Sequence, residues 1–189
     1  MKYCRYVCAG TNKGAVHLLD PGTLSIINIW QAHSTAINWM DAQNNYLVTC
    51  GWSTRPNGAR MLDAFAKVYD LREKKQLAPI SFPPGAAYVQ MHPRMSTTGV
   101  IASQGAQIQI IDIHDPNTSN LHYAGIMYPN LLLGLVMAPS GEAWGMIDKD
   151  NAVHLWGSAE RLRFAETKNA TEFADPSTVA QSIPWEGDQ

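Results

Sequence analysis

Charge is scarce in this chain of 189 residues: Asp, Glu, Lys and Arg make up 16% of it, against about 25% in ordinary globular domains. Fourteen Lys and Arg stand against 16 Asp and Glu, for a formal net charge of −2. With no long basic run, electrostatic binding to nucleic acid or to an anionic membrane is not expected to be its main business, and no strong direct nucleic-acid site is expected. Apolar runs are short as well. None approaches the ~18 residues that a membrane helix needs, and the opening Met1-Lys2-Tyr3-Cys4-Arg5-Tyr6 lacks the apolar core of a signal peptide. The expected address is therefore cytosol or nucleus, with no membrane partner. Cysteine is rare too: Cys4, Cys8 and Cys50 are odd in number and without ligand spacing, which favours reduced thiols over disulfides or zinc. Gly-x-Ser-x-Gly, Gly-x-Gly-x-x-Gly and the P-loop pattern are missing, and no window holds a helical period.

What the chain does have is an internal repeat. Gly14-Ala15-Val16-His17-Leu18-Leu19-Asp20, Ala64-Phe65-Ala66-Lys67-Val68-Tyr69-Asp70, Ala106-Gln107-Ile108-Gln109-Ile110-Ile111-Asp112 and Asn151-Ala152-Val153-His154-Leu155-Trp156-Gly157 line up, at intervals of 50, 42 and 45 residues. Such spacing suits propeller blades of four strands each. Each copy alternates side chains as a strand does and ends in an Asp or Gly able to open a turn. Strands are expected near 24–30, 37–40, 46–50, 65–69, 86–91, 99–103, 134–138 and 143–147. The closing pairs Leu19-Asp20, Tyr69-Asp70, Ile111-Asp112 and Trp156-Gly157 occupy the slot of the Trp-Asp pair of a WD40 repeat, and Ala32-His33 that of its Gly-His pair. His33, Ser34 and Thr49 are similar to the buried hydrogen-bond network of such blades, which would fix geometry rather than do chemistry. The Asp that completes that network is left unassigned, because an insertion displaces the turn that would supply it.

That insertion, residues 52–63, falls where sibling blades manage with a few residues. Long loops in compact domains tend to carry function. Pro56, Asn57 and Gly58 exclude a plain strand, and Trp52, Arg55, Arg60 and Met61 are good interface anchors, so this is the candidate partner-contact loop; a tolerated loop with Trp52 packed on its own blade is the alternative. Asp148, Asp150 and His154 could suggest a metal or acid–base site, but a hairpin turn followed by a strand explains the same residues. Arg72, Lys74 and Lys75 read as a solvated turn. No catalytic, metal or cofactor-binding residues are assigned. Residues 1–164 are expected to form the propeller portion, and 165–189, rich in Thr, Asn, Ser, Asp and Pro, a linker or disordered tail. Phe173, Ile183 and Trp185 are spaced apolar residues within that tail.

More specific strings are Arg5-Tyr6-Val7-Cys8, Asp20-Pro21-Gly22-Thr23-Leu24, Asn45-Tyr46-Leu47-Val48-Thr49-Cys50-Gly51-Trp52-Ser53 and Lys67-Val68-Tyr69-Asp70-Leu71-Arg72, continued by Pro79-Ile80, Met91-His92-Pro93 and Ile101-Ala102-Ser103-Gln104-Gly105. In these the chain resembles the N-terminal WD40 domain of the catalytic subunit of the poly(A)-nuclease (Pan) deadenylation complex, in a fungal form, over residues 3–156. The resemblance implies a seven-bladed ring, a linker that embraces a regulatory pseudokinase subunit, an inactive ubiquitin-hydrolase-like domain and a DEDD-type 3′-exoribonuclease that uses divalent metal ions. Seven blades would need ~280–315 residues, and this chain offers about four blades. The expectation is thus a gene-model fragment or truncated product, doubtfully stable alone, with no cofactor of its own. By the same resemblance it is a non-catalytic scaffold for cytoplasmic, P-body-associated mRNA deadenylation, touching the poly(A)–protein substrate indirectly. The alternative is an independent four-bladed interaction module outside RNA decay.

Overall fold

The structure, a computed structural model, describes residues 5–116, 121–123 and 131–157. Among them there is no helix, only strands and turns. β1 (Val7–Gly10), β2 (Ala15–Leu19) and β3 (Ile26–Gln31) form a first antiparallel sheet in that order. The second sheet starts with β4 (Ile37–Gln43) and β5 (Tyr46–Thr54), on which β6 (Arg60–Leu62) pairs. It continues with β7 (Phe65–Asp70), flanked by the short β8 (Lys75–Gln76) and β9 (Ile80–Ser81). The third runs β10 (Tyr88–Met91), β11 (Thr98–Ala102), β12 (Gln107–Asp112), β13 (Leu121–Tyr123). The fourth has β14 (Leu132–Met137), β15 (Ala143–Asp148) and β16 (Val153–Gly157). Residues 158–189, which hold the expected tail, lie outside the described residues.

The repeat copies are thus β2, β7, β12 and β16, one per sheet. Their closing Asp residues make the turn chemistry visible. Asp20 Oδ1 accepts the backbone N–H groups of Gly22 and Thr23, each at 2.9 Å. Asp70 Oδ1 accepts those of Arg72 and Glu73 at 2.9 and 3.0 Å, and Asp112 Oδ1 that of His114 at 3.0 Å. These are Asx turns, in which a short side chain stands in for a backbone acceptor. The turn before β2, β12 and β16 is equally regular. A side chain on Thr11, Ser103 or Asp148 accepts the N–H four residues on, from Ala15, Gln107 or Ala152. The residue before that donor has a left-handed φ in every case: 81° at Gly14, 60° at Ala106 and 62° at Asn151.

Consecutive sheets pack face to face through three apolar layers. Val16, Leu18, Leu47, Tyr69 and Leu71 fill the first, with Trp30 against Tyr69 at a ring separation of 4.8 Å. Val48, Val68, Phe82, Val89, Ile101 and Ile111 fill the second. Ala87, Val100, Ile108, Leu132, Leu135 and Met146 fill the third. A fully buried side chain of this size contributes about 1.5–3 kcal/mol, so these layers are the main cohesion between sheets. Polar stitches reinforce them along the inner strands. Asn38 Nδ2 donates to the Ala87 carbonyl at 2.6 Å, Asp41 Oδ2 accepts the Met91 N–H at 2.8 Å, and Tyr88 donates to the Leu132 carbonyl at 2.9 Å.

The two terminal sheets leave apolar side chains uncovered. Ile26 and Ile29 are 54% and 52% exposed on the first, and Val136 and Val153 are 61% and 73% exposed on the last. Val136 and Val153 also line an open cleft of about 500 Å³ together with Trp39, Leu135 and Ile147. The counterparts of Val153 in the second and third sheets, Ala66 and Ile108, are buried, so the last sheet ends the stack as the open face of a propeller segment does.

Candidate functional site

The insertion at 52–63 is a β-hairpin rather than an irregular loop. β5 runs four residues further than its pattern suggested, through Thr54, and β6 folds back on it with Trp52 opposite Leu62, Ser53 opposite Met61 and Thr54 opposite Arg60. The sequence signal for a break is confined to the tip. There the Gly58 N–H donates to the Arg55 carbonyl at 2.8 Å and the Ala59 N–H donates to Asn57 Oδ1 at 3.1 Å, with Gly58 at φ 82°. Pro56, Asn57 and Gly58 therefore make the reversal, as turn residues do.

The stem is fastened to the blade on several sides. The Trp52 N–H donates to the Ala36 carbonyl at 2.9 Å, and the Trp52 carbonyl accepts both the N–H and the hydroxyl of Thr35. The Trp52 indole N–H donates to Asn38 Oδ1 at 3.2 Å, and the Thr54 N–H to Ser34 Oγ at 3.0 Å. Trp52 is half-buried, Arg55 and Arg60 are exposed, and Met61 is half-buried, its sulfur accepting from Arg55 Nε at 2.8 Å. The four proposed contact residues are brought together, but Trp52 anchors the stem while Arg55 and Arg60 occupy the tip.

At the base lies the network expected around His33, and its third member is Asp63, the last residue of the insertion. Thr49 Oγ1 and His33 Nε2 are 3.1 Å apart, and His33 Nδ1 is 3.1 Å from Asp63 Oδ2. A carboxylate can only accept, so Nδ1 carries the proton and, in the neutral ring, Nε2 accepts from the Thr49 hydroxyl. Burial raises the Asp63 carboxyl, but the bond from His33, the Lys67 ammonium at 3.7 Å, the Phe65 N–H and Ser53 outweigh it and hold the group at about 2. Next to it, burial and the Asp63 charge push the Cys50 thiol well up. Gly51 is required here: a Cβ would lie 2.5 Å from two carbons of the His33 ring. Asp63 is not legible in the sequence, because an insertion of this length is expected to displace the turn. The hairpin instead returns the chain to the same place, and Asp63 closes the network from there.

Asp148, Asp150 and His154 form a turn. Asp148 Oδ1 accepts the N–H groups of Asp150 and Ala152 at 2.9 and 3.0 Å, and its Oδ2 lies 2.8 Å from His154 Nε2. The His154 bond is the main cause of the lowered Asp148 pKa. Both oxygens are spent within the blade. Among the described residues no group of three His, Cys, Asp or Glu side chains could hold a metal ion. Arg72, Lys74 and Lys75 are exposed around the turn that Asp70 caps.

A family model described as PAN2 N-terminal matches residues 1–157. The chain is 48% identical over 181 residues to the PAN2-PAN3 deadenylation complex catalytic subunit PAN2 of Phaeosphaeria nodorum, covering 96% of the chain and 16% of that protein. To the subunit of the same name from Coccidioides immitis it is 45% identical, over 100% of the chain and 15% of the relative. Among solved structures, the Neurospora crassa Pan2 WD40 domain superposes with a TM-score of 0.77 at 38% identity, covering 87% of this chain and 51% of that one. The β-propeller domain of Myceliophteria thermophila Cps50 (Swd1) superposes with a TM-score of 0.66 at 15% identity, a likeness of fold alone.

Proposed function

Because this chain belongs to the PAN2 N-terminal family and forms part of a WD40 domain like that of Pan2, we propose that it serves as a non-catalytic scaffold in mRNA deadenylation. The family match favours this over an interaction module unrelated to RNA decay. The single observation that carries the mechanism is the rigid stack of blades with one fastened hairpin standing out of it. A rigid frame that displays short loops binds protein surfaces at low entropic cost. In this reading the scaffold helps assemble the deadenylase with its regulatory pseudokinase subunit and holds poly(A)–protein particles near a nuclease elsewhere in the full-length subunit. Hairpin residues Arg55, Arg60 and Met61 make the contact, with Trp52 as their anchor. His33, Thr49 and Asp63 keep the blade in shape. The scaffold uses no cofactor, and its address is the cytoplasm, P-bodies included.

The test removes this segment from a full-length subunit. Shortening of naked poly(A) should persist, while shortening of protein-coated poly(A) or recovery of the pseudokinase subunit falls. Equal rates on both substrates with unchanged assembly would refute the scaffold reading. A fluorescent fusion followed by microscopy checks the address.

A further inference from the structure

We propose that the β5–β6 hairpin is a finger that receives an extended acidic segment of a partner protein across its tip, with Arg55 and Arg60 pairing to the carboxylates of that segment. This rests on the scaffold reading above and names the chemistry of one of its partners.

The two arginines are exposed, and neither has an ion pair with a carboxylate among the described residues, whereas Lys67 is matched by Asp63 and Arg72 by Asp70 and Glu73. Arg55 donates through Nε to the Met61 sulfur, which orients its guanidinium and leaves the two terminal nitrogens for a carboxylate. Strand alternation sets the directions: Arg60 shares a face with Trp52 and Leu62, while Arg55 shares the opposite face with Met61. A single point charge cannot satisfy both, but an extended chain crossing the tip can. The backbone agrees. The Arg55 N–H donates to the Ala59 carbonyl and the Asp63 N–H to the Gly51 carbonyl, which makes those hydrogen-bonded pairs. By alternation Thr54–Arg60 is a non-hydrogen-bonded pair, so the N–H and C=O of Arg60 point away from β5 along the open edge of the hairpin. An extended segment can pair there while its carboxylates reach the guanidinium groups.

Nucleic acid fits this surface less well. Single strands are held by many cations and by open aromatic faces, while the chain is net acidic and the Trp52 indole is pinned to Asn38. The finger is also pre-shaped, since Thr35, Ala36, Ser34 and Asn38 hold its stem before any partner arrives.

The experiment measures fluorescence anisotropy of the full chain with a short labelled peptide alternating Glu and Val, the same peptide with Gln for Glu, and a labelled oligo(A). The Glu peptide should bind with an affinity that falls as salt rises, and Arg55→Glu with Arg60→Glu should weaken it by about tenfold or more without moving the melting midpoint. Replacing residues 54–60 by Asn-Gly, the two-residue turn that the Ser53–Met61 pair accepts, should abolish it. No binding of the Glu peptide, equal binding of the Gln peptide, preference for oligo(A), or indifference to charge reversal each overturns the proposal. The two readings separate in the full-length subunit. If the Asn-Gly truncation leaves assembly and shortening of protein-coated poly(A) unchanged, the hairpin is not a contact. If truncation weakens them and charge reversal does not, the acidic partner is wrong and the scaffold reading stands.

Discussion

Asp63→Asn should destabilise the blade by an amount that disappears in acid. The substitution keeps the size of the side chain and an oxygen for the Phe65 N–H, but removes the charge that His33 and Lys67 face and, with it, the second oxygen that accepts from His33 Nδ1. In the folded chain the carboxyl sits at about 2, against its ordinary 3.8. At about 1.36 kcal/mol per unit, that depression would be worth ~2 kcal/mol if the group were fully sheltered. The carboxylate is partly solvated, and screening brings the estimate to on the order of 1–2 kcal/mol. A depressed acid contributes its full stability above the unfolded pKa and loses it as pH falls through the folded one. The window is therefore pH 3.8 down to about 2. Urea denaturation of wild type and Asp63→Asn at a series of pH values reads the difference directly. It should be constant at neutral and mildly acidic pH and shrink steadily below pH 3.8. A gap that stays the same to the acid end, or no gap at neutral pH, would show that Asp63 is not the charged end of the His33 network.

Gly14→Ala should cost about 2–4 kcal/mol, because Gly14 has φ 81° and its new Cβ would meet the His33 and Thr35 carbonyl oxygens; thermal melts check this. In a Cys4→Ser background, iodoacetamide followed by mass spectrometry should label the half-buried Cys8 long before Cys50, whose thiol burial holds in the unreactive protonated form. Asp148→Ala should lower the melting midpoint by undoing the turn at Asp150 and Ala152, and added Mg²⁺ or Mn²⁺ should leave both midpoints where they were; a metal-induced rise in wild type alone would revive the metal reading. The open apolar ends at Ile26, Ile29, Val136 and Val153 should make the isolated chain bind a hydrophobic dye or self-associate with concentration in sedimentation. A dye-silent monomer with one sharp melt would contradict this.

The blade order was legible from the sequence because two local signals agree with each other and with the packing. Alternation in Val16-His17-Leu18 and Ile108-Gln109-Ile110 reflects strands with both faces in use, and the Asp that follows is needed by the turn itself. The edge strands were harder. β8 and β9 are two residues each, too short for a period of two to register. β6 was missed because its three residues follow a turn whose Pro, Asn and Gly dominate the window. His33 and Thr49 could be paired from WD40 spacing, but Asp63 could not, since its role depends on where a hairpin returns the chain. The stitches by Asn38 and Asp41 also escaped, because a lone polar residue on an inner strand gives no hint of the neighbouring blade it reaches.

That return bears on why the hairpin is there. Its siblings close the same connection with a side-chain cap four residues long on Thr11, Ser103 or Asp148. Lengthening a closed loop about threefold costs only ~1 kcal/mol in chain entropy, and the hairpin offsets this with its own ladder and with the bonds of Trp52 to the blade. The blade keeps its His33 network because Asp63 lies at the far end of the stem rather than at the tip. Stability therefore constrains the base of the hairpin, Gly51 just before the insertion and Asp63 at its end, far more than what lies between Thr54 and Arg60. The two exposed arginines stand where the fold constrains little, and their charge suits the acidic segment proposed as the partner of the hairpin.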